Sequence, residues 1–516
     1  MVRLLLAALL LLPGPARADD LTVGFSAAIT SLDPHFHTLG SNNAINRHVF
    51  DRLIHADEAL RLQPGLAVAW RATGPLEWEV SLRPNVRFHD GTPFTAADVA
   101  ASLRRAPSVP GSPGSFGVYL SAVAGVTVVD PLTIRIATRQ PAPSLPNDLT
   151  QIAVISAARA EASTADYNAG PAAIGTGPFR FTGYAPGDRV TFRRNPDHWG
   201  GAAAWDVVTF RFIPNPTALV AALLAGDVQL IDGVSPVHFE RLRRAPGVAL
   251  FTGPTPRVIY LGMDQARDAS PGVADAQGRP VERNPLRDRR VREALSLALN
   301  RAQIVERVMD GAATAAGQIS PPGYFGASDR LGPAPHDPAR ARALLAEAGW
   351  PDGFRLTLLG PNDRYVNDER VMQAVAQMFG RIGIATTLEA VPFSVAATRI
   401  ARREASLWMG GWGGSSGEMS ANLRALVATV DPASGMGAQN RGLYSSLQVD
   451  ALLAEALRTF DDTRRAALLA EATEAAIADH ALIPLHFESY TWATRGGIVY
   501  VPRFDQLTLA MSARRP

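Results

Sequence analysis

Residues 66–103 read LAVAWRATGPLEWEVSLRPNVRFHDGTPFTAADVAASL, and strand, turn and helix signals follow one another within this stretch. Trp78 to Leu82 alternates apolar and polar residues with period two, and Val86 to His89 does so again. The two runs predict a hairpin of half-buried strands. His89-Asp90-Gly91 supplies Asp-Gly turn chemistry to close it. Thr95 then reads as a helix N-cap with Asp98 as its capping-box partner, and Val99 and Leu103 take the inner face.

The same rhythm extends outward. Leu21–Phe25 predicts a first strand, Ser31-Leu32-Asp33-Pro34 a turn-forming loop, and Ala44–Ile54 a helix with Ile45, Val49 and Leu53 on one face. Asn215-Pro216 starts a helix that Gly226 ends, and Val228–Ile231 and Arg257–Met263 predict strands. The polar, Pro- and Gly-rich run 264–285 marks a lobe boundary after Met263. Beyond it, Asp288, Asn300 and Asp337 each open a helix, Phe354–Leu359 and Ala385–Val391 are strands, and Val371–Ile382 is a helix. Asp450–Ile477 reads as one long helical tract. Alternation of strands and helices predicts α/β lobes with largely parallel pairing. A chain of 516 residues exceeds one typical domain, so at least two lobes are expected.

The N-terminus carries a targeting pattern. Arg3 precedes the apolar run Leu4–Leu12, Pro13-Gly14 breaks it, and Ala16-Arg17-Ala18 places small residues where a signal peptidase reads. Residues 1–18 are therefore expected to be a signal peptide, with a mature start at Asp19. The chain has no cysteine, which excludes disulfides, thiolate chemistry and a lipid-anchored N-terminal cysteine. A free periplasmic protein of a Gram-negative bacterium is expected. Lysine is absent as well, so the basic residues are all arginine. With a formal net charge of +2 and only isolated pairs such as Arg104-Arg105 and Arg289-Arg290, nothing suggests a nucleic-acid partner.

Motifs for chemistry are sparse. Gly413-Gly414-Ser415-Ser416-Gly417 matches the G-x-S-x-G nucleophile elbow, with His480 and His486 downstream as bases. The loop after Ser415 is longer than an elbow, so a serine hydrolase is the lesser reading. His35-Phe36-His37 reads as loop histidines and His89-Asp90 as a turn; no metal-binding or phosphate-binding motif is complete, and no cofactor is implied. Two features suit ligand capture instead. Trp412 stands between paired glycines (Gly410-Gly411 and Gly413-Gly414), where a flat ring is free to stack on a ligand or to join the core. Arg364-Tyr365 follows a strand and a turn, where a guanidinium could fork onto a carboxylate or pair with Asp363 or Glu369.

The opening stretch also resembles the signature of the family 5 extracellular solute-binding proteins, the peptide and nickel binders of ATP-driven importers. Further matching segments occur in order: SLDPHF from Ser31, GTGPFRFTGYAPGDRVTFRRNPDHWGG from Gly175, DRRVREALSLALNRAQIVERVMDGAA from Asp288, HDPARARALLAEAGWPDGF from His336, and GGWGG at 410–414. This resemblance implies a two-lobed periplasmic-binding-protein fold (type II, cluster C). Lobe I would span 19–263 with an extra subdomain near 50–170, lobe II 264–485, and 486–516 would return to lobe I, with the return crossing near Pro484–Tyr490. It implies a monomer that binds a di- or oligopeptide or peptide-like solute, hands it to permease subunits and does no chemistry. A nickel chelate, an opine or an oligosaccharide is the alternative ligand. By the same resemblance Trp412, with Met409, Gly411 and Gly413 beside it, lines the pocket, and Arg364 with Tyr365 faces a ligand carboxylate. Thr30, Ser31 and Tyr119 fall where the near lobe lines the site. The peptide binders carry an aspartate for the ligand's α-amino group shortly after the tryptophan. This chain has none there, which leaves Glu418 as the nearest acid or argues against a free amino terminus.

Overall fold

The computed structural model describes residues 19–414 and 416–515. One mixed sheet runs through the molecule, and two long antiparallel strands at its centre, Val248–Met263 and Ile483–Arg495, belong to both halves. The first half of Val248–Met263 pairs with the second half of Ile483–Arg495, from Val248↔Arg495 to Pro254↔Ser489, and its second half pairs with the first half of that strand, from Val258↔Phe487 to Leu261↔Ile483. The register slips between these two runs. Pro254 and Pro256 cause the break, because a proline has no N–H to give to the ladder.

On one side of the slip, Ile483–Arg495 pairs with Leu230–Ile231, which leads to the parallel neighbours Asp20–Phe25 and Val207–Phe212. Leu21, Val23, Phe179, Phe210, Trp205 and Trp492 pack the core of that lobe. On the other side, Val248–Met263 pairs with Leu407–Gly413, and Phe354–Pro361 lies parallel to Ile384–Val391. Leu261, Leu295, Phe354, Met372, Phe379 and Leu407 pack the second core. A separate four-stranded sheet, Ala67–Gly74, Glu77–Leu82, Thr133–Thr138 and Val123–Asp130, holds a third core around Val80, Phe116 and Ile134.

Helix boundaries follow the caps. Asn215, Asp288, Asn300 and Asp337 each accept a hydrogen bond from a first-turn amide, and Thr95 with Asp98 forms the capping box. Four expectations need correction. Glu77–Leu82 pairs with Ala67–Gly74 and Thr133–Thr138, not with 86–89, because Phe88 N–H bonds Thr92 O in a tight turn of its own. The first helix is Gly40–Val49, and Phe50 turns extended before Leu53 is reached. The tract 450–477 is two helices, Leu447–Ala456 and Asp462–Ala478, because Asp461 caps a new start by accepting from Arg464 N–H. Pairing is not largely parallel, since the crossing strands bring antiparallel neighbours to the centre of the sheet.

The SLDP loop is fixed by a buried ion pair. Arg105 donates to both Asp33 oxygens at 2.8 and 2.7 Å, and Thr164 Oγ1 donates to Asp33 Oδ2 at 2.8 Å. Burial alone would raise the Asp33 pKa, but its hydrogen bonds and the Arg105 charge more than offset that and hold it below the ordinary carboxylate value. The lobes also touch. Asn147 Nδ2 donates to Ser416 O at 2.9 Å, and Trp78 meets Phe460 with ring centres 5.7 Å apart. At this seam, burial and the nearby Glu418 charge push the Asp148 carboxyl up to about 8.

Two stability predictions result. Arg105→Met strands the buried Asp33 and should cost about 3 kcal/mol in denaturant titration at neutral pH. Because the folded Asp33 pKa is depressed, the pair stabilises above the unfolded value of about 3.9 and loses this as pH falls through the lower folded value. The deficit should therefore shrink in strong acid. Asp148 has the opposite sign. Its raised folded pKa disfavours the fold as pH climbs from the ordinary carboxylate range toward 8, so Asp148→Asn should raise Tm by about 2 °C at pH 8 and change nothing near pH 4.

Candidate ligand-binding site

The site is assembled where the crossing strands leave their slipped register. Glu488 sits at that point and is 5 % exposed. Its backbone carbonyl accepts from Thr255 Oγ1 at 3.0 Å. One carboxylate oxygen pairs with Arg257 Nη1 at 3.1 Å, and the other accepts from Val366 N–H at 3.1 Å. Glu488 thereby ties the crossing strands to the loop that carries Arg364 and Tyr365.

Tyr365 extends this tie to the tryptophan strand. Its Oη accepts from Gly411 N–H at 2.9 Å. A Cβ at Gly411 would fall 2.6 Å from the tyrosine ring, so only glycine permits the contact. Asp368 fixes the same loop by accepting from the Arg364 and Tyr365 amides. The Arg364 side chain is exposed, lies 5.0 Å from the Phe393 ring centre, and has no carboxylate partner among the described residues. The ion pairs with Asp363 or Glu369 that its neighbourhood suggested are not formed.

Trp412 pairs with Val258 on the first crossing strand and is half-buried. Its Nε1–H donates to Asn422 Oδ1 at 2.9 Å, and its side chain packs against the core cluster that includes Val258 and Leu423. The ring is therefore both packed and partly open. Gly413 lies at the exposed end of the strand opposite Arg257. The loop beyond it is held from below: Tyr324 Oη donates to Gly414 O at 2.6 Å and accepts from Gly417 N–H at 3.0 Å. Thus Tyr365 binds the Arg364 loop to Gly411, on the strand that also carries Trp412 and Gly413, with Arg257 opposite Gly413 as a second cation; Trp412, opposite Val258, points from the other face of that strand.

The other expected site residues differ in burial and in the partners they hold. Met409 is 1 % exposed and belongs to the second-lobe core, because it falls on the inner face of the strand that Gly411 and Gly413 share. Ser31 is fully buried and spends its hydroxyl on Asn168 Oδ1. Glu418 is 2 % exposed, bonded to Ser420 Oγ and ion-paired with Arg465 at 2.5 Å, so it offers no free carboxylate to an amino group. Thr30 is exposed and bonded to Asn42, while Tyr119 packs against Phe116 in the third core. Ser415 lies outside the described residues. His486 is buried on the second crossing strand without a hydrogen-bond partner among the described residues, and burial pushes its pKa down to about 4. His35 Nε2 lies 2.8 Å from Ala153 O, and among the described residues no group of three His, Asp or Glu gathers to hold a metal ion.

Sequence reasoning missed Arg257 and Glu488. The signal available was a charge at the start of each apolar strand run, Arg257 after Thr255-Pro256 and Glu488 amid His486-Phe487 and Ser489-Tyr490. Nothing in the sequence alone paired positions 231 residues apart.

Comparison with known proteins agrees with this architecture. The family model for bacterial extracellular solute-binding proteins, family 5 Middle, matches residues 61–433. The glutathione-binding protein GsiB of Salmonella paratyphi A is 29 % identical over 484 residues, covering 91 % of this chain and 89 % of that protein. Among solved structures, HbpA2 from Haemophilus parasuis superposes with a TM-score of 0.85 at 22 % identity, covering 96 % of this chain and all of that one. The periplasmic murein tripeptide-binding protein MppA, in its unliganded open form, gives 0.83 at 21 % identity, with 96 % and 97 % covered. The chain belongs to the family 5 bacterial extracellular solute-binding proteins, the two-lobed ligand carriers of ATP-driven importers.

Proposed function

We propose that this chain is a monomeric periplasmic carrier that closes lobe I (19–263 with the return 486–516) and lobe II (264–485) around a short peptide or glutathione-like solute, then presents it to permease subunits. The observation that carries this reading is the exposed, unpaired Arg364 guanidinium. It stands on the loop that Tyr365 locks to Gly411, on the strand that carries the half-buried Trp412. A planar cation and an aromatic face suit a ligand with a carboxylate and a flat amide backbone. Kinship to glutathione-binding and murein-tripeptide-binding proteins supports the same class. No carboxylate stands free beside Trp412 among the described residues, so the ligand's carboxylate, rather than its amino terminus, is the anchor. Closure is a hinge motion at the register slip, driven by contacts the ligand makes to both lobes. The carrier performs no chemistry on its cargo.

Thermal unfolding tests this directly. Glutathione or a di- or tripeptide should raise Tm, by about 2.7 kcal/mol of stabilisation at 100 times the dissociation constant, while nickel–histidine, an opine and an oligosaccharide should not. The absence of a shift with every peptide would overturn the ligand class. Trp412→Ala should weaken the responding ligand at least tenfold by calorimetry, with Trp412→Phe intermediate and both variants folded. Arg364→Ala should abolish the preference for a free carboxylate over the amidated ligand. Equal affinity of wild type and Arg364→Ala for the free acid would remove Arg364 from the site.

A further inference from the structure

Away from the crossing strands, the first lobe contains a cavity of about 400 Å³ walled by residues from 47–56, 178–205 and 503–511, with none from the second lobe. The volume falls within the range of small-molecule sites. One wall is the loop Gly200-Gly201-Ala202-Ala203-Ala204, where small residues leave the space open. Phe50, Phe179 and Trp205 supply apolar surface, and the polar side is lined by Arg47, Arg52 and Arg503 together with Asp51, His55 and His198.

These arginines differ in how they are balanced. Arg503 is satisfied, paired with Asp505 at 2.7 Å and Glu58 at 3.7 Å. Arg52 is 1 % exposed, yet it donates only from Nη1 to Phe50 O, and its Nε is buried without a partner among the described residues. Arg47 donates from Nη2 to Thr150 O, and its Nε is likewise buried and unpartnered. Neither forms an ion pair among the described residues. The acid nearest Arg52 in sequence, Asp51, is already occupied: Thr176 Oγ1 and Trp199 Nε1 donate to it, and His55 and His198 stand 3.5 and 3.6 Å away. A buried cation without a direct ion pair is costly, and natural proteins pair such charges. Burial disfavours both charged forms; Arg47 adds repulsion at Arg52 and Arg503 adds it at Arg47, the charges of Asp51 and Asp505 offset this only in part, and an anion would relieve the rest.

We infer that this cavity is a second ligand site, which takes a small organic anion whose oxyanion group bridges Arg47 and Arg52 and whose apolar body lies against Phe50, Phe179 and Trp205. Arginine forks onto carboxylate and phosphate alike, so the shared chemistry is a planar or tetrahedral oxyanion. The site is independent of the corner around Trp412 and does not rest on what binds there.

Benzoate is the probe, with acetate and inorganic phosphate as arms that separate the contribution of the apolar body from that of the oxyanion. Sodium chloride at matched ionic strength is the control. Benzoate should raise Tm of the intact protein above the chloride control, acetate and phosphate less so. Arg52→Met and, separately, the more accessible Arg47→Met should each weaken benzoate at least tenfold by calorimetry, while Trp412→Ala leaves it unchanged. If Arg52→Met fails to fold, Arg47→Met decides alone. No shift beyond chloride, benzoate binding unchanged in the arginine variants, or binding lost in Trp412→Ala would each overturn the inference.

Discussion

The molecule depends on one interruption in a hydrogen-bond ladder. Two strands long enough to serve both lobes would make a stiff ribbon if they paired throughout. Pro254 and Pro256 prevent this by withholding donors, and the register slips where they stand. Glu488 occupies the gap and converts a weakness into a junction. Its carbonyl, and both oxygens of its side chain, hold the opposite strand and the Arg364–Tyr365 loop. Glu488 therefore holds the opposite strand and the Arg364–Tyr365 loop together as a unit. A buried carboxylate whose acceptors are all used is rigid locally, and the flexibility lies in the missing ladder bonds beside it.

The corner around Trp412 is preorganised by the same economy of parts. Gly411 admits the tyrosine ring, Tyr365 Oη fixes the strand, and Asn422 orients the indole from behind. A ring held on one side and open on the other loses little freedom when a ligand stacks on it. Arg364 is the contrasting element, a long cation resting near Phe393 with no competing carboxylate. One group supplies shape and the other supplies charge.

Much of the fold was legible in the sequence because its signals were local. Thr95-Asp98, Asn215, Asp288 and Asp337 announce helix starts through side chains that bond amides within three residues, and each does so. What misled was pairing over distance. Alternation at Trp78–Leu82 marked a strand correctly, yet its partners are Ala67–Gly74 just before it and Thr133–Thr138 more than fifty residues on, not Val86–His89. The long tract ending at Ile477 hid a helix break because Leu457–Phe460 kept apolar spacing across it. For the site, composition pointed to Trp412 and Arg364, but whether a side chain faces ligand or core is decided by strand register. Met409, two residues from Gly411, shows this: it shares the strand and is buried. Glu418 was the nearest acid by number, but Arg465 claims it.

The crossing strands have one more consequence, which concerns time. Val248 pairs with Arg495, and Trp205 Nε1 donates to Ala513 O across 308 residues. A chain emerging from its N-terminus completes the contacts of the second core before those residues exist. The first lobe must meanwhile wait with an unpaired strand edge until the last thirty residues arrive. Contacts of such sequence separation form slowly, and an exposed edge invites association with other chains while it waits. The lobe begun first is the one finished last.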